Sequence, residues 1–102
     1  MSYKLAYSTN AYTRWKLVDA VADIRRLGFD GVEILADVPH AFPPIRDEAL
    51  SALLEAAEGL GISNLNGNKF LDSFEPSLID PDPVVRHRRV AYTLGTIDLA
   101  RA

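Results

Sequence analysis

The stretch Leu27-Gly28-Phe29-Asp30-Gly31-Val32-Glu33-Ile34-Leu35-Ala36 decides the fold. It leaves a helical stripe at Leu27 and enters a short apolar, β-compatible run. Gly28 stands where a helix C-terminal glycine belongs, because it adopts positive φ without a Cβ clash. Phe29-Asp30-Gly31 is a tight connection, and Val32 to Ala36 reads as a strand. The same junction returns at Leu60-Gly61-Ile62. Two helices therefore hand over to two strands in the same way.

Working outward, Leu5 to Thr9 reads as a first strand and Asn10 to Thr13 as a loop, with Thr13 placed to cap a helix. Leu17, Val18, Val21 and Ile24 recur at helical spacing, and Leu27 closes that stripe. After the second strand, Pro39, Pro43 and Pro44 keep residues 37 to 46 out of regular helix. Asp47 is the expected cap of a second helix, whose stripe is Leu50, Leu53, Leu54, Ala57 and Leu60, with Gly59 and Gly61 at its end. Ile62 to Leu65 is a third strand, followed by a polar loop from Asn66 to Asp82. Asp82 before Pro83 is a strong helix start. Val90, Leu94 and Ile97 share one face of that third helix.

The order is βαβαβα, which predicts an α/β chain with parallel strands and right-handed crossovers. Strands beginning near residues 5, 32 and 62 give a repeat close to 30 residues. A (β/α)8 TIM barrel allots about 31 residues to each unit. Residues 1–102 therefore read as the N-terminal part of a single barrel domain, incomplete as it stands, with a fourth strand expected after Ala102.

The 102 residues are 48% hydrophobic and 25% charged, ordinary for a globular protein. The net charge of −3 gives no support to nucleic acid or an anionic membrane as partner, since both select a concentrated basic face. Arg86, His87, Arg88 and Arg89 form a basic cluster early in the third helix, read as a solvated face with phosphate contact as the alternative. His87, near the apolar stripe, reads as a partly buried structural histidine. There are no cysteines, which removes disulfides, thiolate catalysis and sulfur-ligated zinc. No signal peptide or membrane span is visible, so a soluble cytoplasmic protein is the expectation. The dinucleotide, P-loop, zincin and nucleophile-elbow motifs are missing.

Strand alternation assigns the candidate site. Val32, Ile34 and Ala36 should pack beneath helices, with Glu33, Leu35 and Asp37 facing the barrel interior. Ser63, Leu65 and Gly67 should share one face of the third strand, and Ile62, Asn64, Asn66 and Asn68 the other. Polar groups at the C-terminal ends of parallel strands are where barrels bind ligands. Glu33 among apolar neighbours demands a partner. It is a substrate-hydroxyl acceptor or a member of a polar cluster near a metal, or else half of a structural ion pair with an inward Lys or Arg from another strand. Asn64, Asn66 and Asn68 offer amides that both donate and accept, which suits sugar hydroxyls, although Asn66-Gly67-Asn68 also reads as turn chemistry. His40 falls in the proline-rich loop at the barrel mouth, as a pocket contact or an exposed loop residue. Tyr7, Tyr12, Trp15, Phe42 and Phe70 lie at or after strand ends, as pocket walls or loop anchors.

The run Leu27-Gly28-Phe29-Asp30-Gly31-Val32-Glu33-Ile34 resembles the second-strand segment of the xylose-isomerase-like barrel superfamily. That group includes sugar phosphate isomerases/epimerases and the endonuclease IV type of nuclease. Lys4 to Thr9 and Leu60 to Asn66 are similar to its first and third strands, so the resemblance covers nearly the whole chain. It implies a TIM barrel holding a divalent metal (Mn, Mg, Co or Zn) and shifting a proton beside a carbonyl. In the isomerases the metal ligands come mainly from the second half of the barrel, which is not encoded in these 102 residues. In the nuclease branch, early-strand histidines bind zinc, whereas Asn64 and Asn66 stand here. The resemblance implies substrate-side contacts at Glu33, His40 and Asn66, and no catalytic or metal residue in this chain. The expected function is that of a partial sugar or sugar-phosphate isomerase/epimerase, inactive alone. The alternatives are a non-catalytic α/β module that self-associates through open sheet edges, and a nucleic-acid repair enzyme.

Overall fold

The computed structural model describes residues 3–67 and 77–102. Its elements are β1 (Ala6–Ser8), a 3₁₀ turn (Thr9–Tyr12), α1 (Leu17–Arg26), β2 (Gly31–Leu35), α2 (Asp47–Ala56), β3 (Gly61–Asn66) and α3 (Pro83–Arg101). The three strands form one parallel sheet in the order β1-β2-β3. Three consecutive βα units are what the repeated helix–glycine–strand junction predicts. Asn68 and Phe70 lie outside the described residues.

The junction works through Gly28 and Asp30. Gly28 has φ 89°, the left-handed conformation that ends α1. Two residues later the Asp30 carboxylate accepts from Leu5 N–H at 2.9 Å, and Asp30 N–H donates to the Leu5 carbonyl at 2.8 Å. The tight turn into β2 thereby clamps the entrance of β1. Gly61 N–H donates to the Asp30 carbonyl at 3.0 Å, so the same residue also sets the start of β3.

The core lies on one face of β2. Val32, Ile34 and Ala36 are fully buried, as the alternation requires, and Val21 and Ile24 of α1 are buried against them. Leu53 of α2, Ala57 at its C-terminal cap and Ala41 of the loop after β2 complete the cluster. Burying each large aliphatic contributes roughly 1.5–3 kcal/mol. Leu54, by contrast, is exposed, as is Leu27, so each predicted stripe is narrower than its apolar residues suggest.

Both expected caps on the first two helices are displaced. Thr13 ends the 3₁₀ turn, and α1 starts after Lys16 with no side-chain cap. Asp47 is the first residue of α2, after Arg46, where its charge meets the positive end of the helix dipole. Asp82 caps α3 as expected, its carboxylate accepting from Val84 N–H at 2.9 Å with Pro83 next in line.

The third helix departs most from the sequence reading. Val90, Leu94 and Ile97 are all exposed, and His87 is exposed too. Tyr92 is the buried residue of α3. Its hydroxyl donates to the Ala36 carbonyl at the end of β2, and its ring stacks on Phe42 at 5.3 Å. A Cβ at Gly67 would collide with the Tyr92 hydroxyl and lie 2.8 Å from the Ala36 oxygen. Glycine is thus the residue that lets α3 seat its tyrosine. Beside this anchor, Ile34, Leu53, Leu54, Ile62, Leu65 and Leu99 line an apolar groove of 390 Å³.

Tyr92→Phe should remove a buried hydrogen bond and cost about 1–3 kcal/mol. Gly67→Ala should cost more, because it displaces the ring as well. Urea denaturation with amide exchange on α3 checks both; equal stability of Gly67→Ala and the parent chain would exclude this anchor.

Candidate functional site

β1, β2 and β3 bring one polar row together. Ser8 pairs with Glu33 on one side, and Glu33 with Asn64 on the other. Neighbours in a parallel register share a face, so hydroxyl, carboxylate and amide lie side by side. The Asn64 amide donates to Glu33 Oε2 at 2.7 Å, and the Asn66 amide to Oε1 at 3.2 Å. The Ser8 hydroxyl donates to the same carboxylate, while its oxygen accepts from Asn10 N–H at 3.1 Å. The Ser63 hydroxyl donates to the Asn64 side-chain oxygen at 2.7 Å, which fixes the amide orientation.

A register shift makes this possible. Val32 pairs with Ile62 but Glu33 with Asn64, so Ser63 is the extra residue of a β-bulge. The strict alternation expected along β3 is interrupted there. Beyond the bulge Leu65 lies beside Ile34, and Asn66 beside Leu35.

Among the described residues Glu33 is therefore held by three neutral donors, and no Lys or Arg of the described residues forms an ion pair with it. Hydrogen bonds from Ser8, Asn64 and Asn66 hold its carboxyl below the ordinary value of 4.5, with partial burial opposing them. Because the folded value is the lower one, this stabilisation is complete above the unfolded value and fades as pH falls through the folded one. Asp23 shows the same direction on the other side of the chain, held down first by Arg26 at 2.7 Å and then by the Tyr12 hydroxyl at 2.9 Å.

His40 sits in a different constellation. Leu35 N–H donates to Thr9 Oγ1 at 2.9 Å, and Thr9 is fully buried. The Thr9 oxygen lies 3.0 Å from His40 Nδ1, and Nε2 lies 3.1 Å from the carbonyls of Tyr12 and Trp15. Carbonyls only accept, so Nε2 carries the proton and Nδ1 accepts from the threonine hydroxyl. Both ring nitrogens bind the chain, and the histidine ties the loop after β2 to the turn after β1. Glu33 and Asn66 are brought into contact with each other; His40 supports the loops beside them.

Asn66 also borders a shallow pocket of 210 Å³ with Gly67, Arg89, Tyr92 and Thr96 at the C-terminal ends of the strands. The aromatic residues mostly anchor one another: Tyr7 on Phe29 at 5.1 Å, and Tyr12 on Trp15 at 5.2 Å. In the basic cluster, Arg86 donates to the carbonyls of Asp80 and Pro81, closing the approach to α3. Among the described residues no three His, Cys, Asp or Glu side chains converge on a common point. No described helix is long and apolar enough to cross a membrane. No protein-family model, curated protein or solved structure matches the chain.

Sequence reasoning missed Ser8 as a member of the row. The signal was available only through the register, because Ser8 stands 25 residues before Glu33 and Asn64 31 after it, near one repeat on each side.

Two outcomes follow from these contacts. Glu33→Gln should lower stability at pH 7, and the difference from the parent chain should shrink as pH falls below the unfolded value of 4.5 and through the lower folded one. Urea midpoints between pH 7 and 3 measure this; a constant difference would sink the assignment. His40→Ala should cost about 1–3 kcal/mol by leaving buried Thr9 without its acceptor, read from the same unfolding curves.

Proposed function

We propose that residues 1–102 are the first three βα units of a cytoplasmic sugar or sugar-phosphate isomerase/epimerase barrel of the xylose-isomerase-like type. The observation that carries the reading is the Ser8–Glu33–Asn64–Asn66 row on the sheet face opposite the packed helices. In a closed barrel that face points inward, and ligands bind towards the strand C-termini. Ser8 and Asn66 are the last residues of their strands, so the row reaches that end. A line of hydroxyl, carboxylate and amide groups supplies alternating acceptors and donors, the pattern that polyhydroxylated ligands match. The edges of β1 and β3 would then pair with the remaining strands of the barrel, or with another copy of the chain when these are missing.

The reaction class is proton transfer beside a carbonyl. The divalent metal implied by the family does not fit the donors described here: Glu33 faces N–H and O–H groups rather than further carboxylates or imidazoles. The residues of this chain orient substrate hydroxyls, and the groups that move protons lie on other strands of the barrel.

The 102-residue chain, given Mn²⁺ and a panel of ketoses, should show no turnover above background. A barrel completed by five further βα units should interconvert one of them. In that barrel Glu33→Ala should raise KM roughly tenfold with little change in kcat, the mark of lost substrate binding. Turnover by the isolated chain, or an unchanged KM, would overturn the proposal.

A further inference from the structure

The geometry points to a charge selection built into this wall: the β1–β3 row receives an uncharged, hydroxyl-bearing part of the ligand and turns anionic groups such as phosphate away. The inference rests on the carbohydrate reading above and deepens it by saying which end of a substrate lies here.

Glu33 has three hydrogen-bond partners among the described residues. All three are neutral: the Ser8 hydroxyl and the amides of Asn64 and Asn66. Neutral donors stabilise a carboxylate without cancelling its charge. A phosphate site needs the reverse arrangement, in which Arg, Lys or converging backbone N–H groups face the ligand. Along Ser8, Glu33 and Asn64 the described donors point at Glu33 instead, and Arg89, which borders the pocket beside Asn66, lies over the Tyr92 ring at 5.4 Å. Asn64 gives its N–H to Oε2, and its oxygen is occupied by Ser63. Ser8 donates its proton to Glu33 and accepts from Asn10.

A carboxylate offers about four lone-pair sites. Three donors among the described residues leave room for one more, which a ligand on that face of the sheet can supply. A ligand hydroxyl fits this requirement. A phosphate monoester dianion offers no proton, and inorganic phosphate, which keeps one, still sets its negative charge against that of the carboxylate. Across about 4 Å in water, that repulsion alone discriminates roughly fivefold against a singly charged anion. A sugar phosphate would therefore lie with its hydroxyls on this row and its phosphate directed to another part of the barrel.

The test uses the 102-residue chain, labelled with ¹⁵N, and follows the side-chain amide signals of Asn64 and Asn66. The probes are xylitol and inorganic phosphate, titrated separately at equal ionic strength. Xylitol should shift both amides at millimolar concentrations, and phosphate should need at least roughly fivefold more for the same shift. Glu33→Gln should abolish that preference, whereas Ser8→Ala, which keeps the charge, should retain it. Circular dichroism establishes that each variant is folded, and either variant suffices for the comparison. If phosphate shifts the amides as readily as xylitol, charge selection is wrong while carbohydrate binding stands. If xylitol shifts neither amide in the parent chain, the carbohydrate reading fails, and this inference with it.

Discussion

The burial of one face of β2 is the constraint on which the rest of the chain depends. Among the described strands it is the one with hydrogen-bonded neighbours on both sides, and Val32, Ile34 and Ala36 are sealed from water. A fully enclosed parallel strand needs a helix across its face, because its apolar side chains have no other cover. α1 and α2 supply that cover through Val21, Ile24, Leu53 and Ala57. With one face fixed in this way, the period of two places Glu33 on the opposite face. The polar row is thus a consequence of the core.

That consequence carries its own cost. A carboxylate beside apolar strand neighbours loses hydration, and the loss must be offset by hydrogen bonds. The chain draws those bonds from both adjacent strands. Ser8 stands in register on β1, but β3 in regular alternation would not set Ile62 beside Val32 and Asn64 beside Glu33. The bulge at Ser63 resolves this conflict by absorbing one residue. It lets an apolar pair begin the strand and an amide meet the carboxylate two residues later. Bulges that re-aim side chains often stand beside sites of function.

The readable parts of the sequence are those governed by local chemistry. Gly28 ends a helix, Asp82 with Pro83 starts one, and the alternation of Val32, Ile34 and Ala36 defines a buried face. Each is decided within a few residues of chain. The parts that resist reading depend on distant neighbours. His40 looks like an open loop residue until Thr9, 31 residues earlier, is seen to hold its ring. Val90, Leu94 and Ile97 form a correct helical stripe, but a stripe says only which face could be buried, and Tyr92 secures the helix instead. Ser8 joins the site through register, which no single segment encodes.

The same distinction separates the firm part of the molecule from its lightly held part. β2, α1 and α2 share one continuous apolar cluster, with Leu65 of β3 and Leu99 of α3 packed against it, and the loops after β1 and β2 are joined by the Thr9–His40 clasp. The face bearing Glu33 is therefore backed by packed structure, and its donors are positioned before any ligand arrives. Preorganised polar groups bind with less loss of side-chain freedom than mobile ones. α3 meets the sheet chiefly through Tyr92, leaving an apolar groove beside β3. Glu33, at the centre of the polar row, is thus carried by the strand whose other face forms the core.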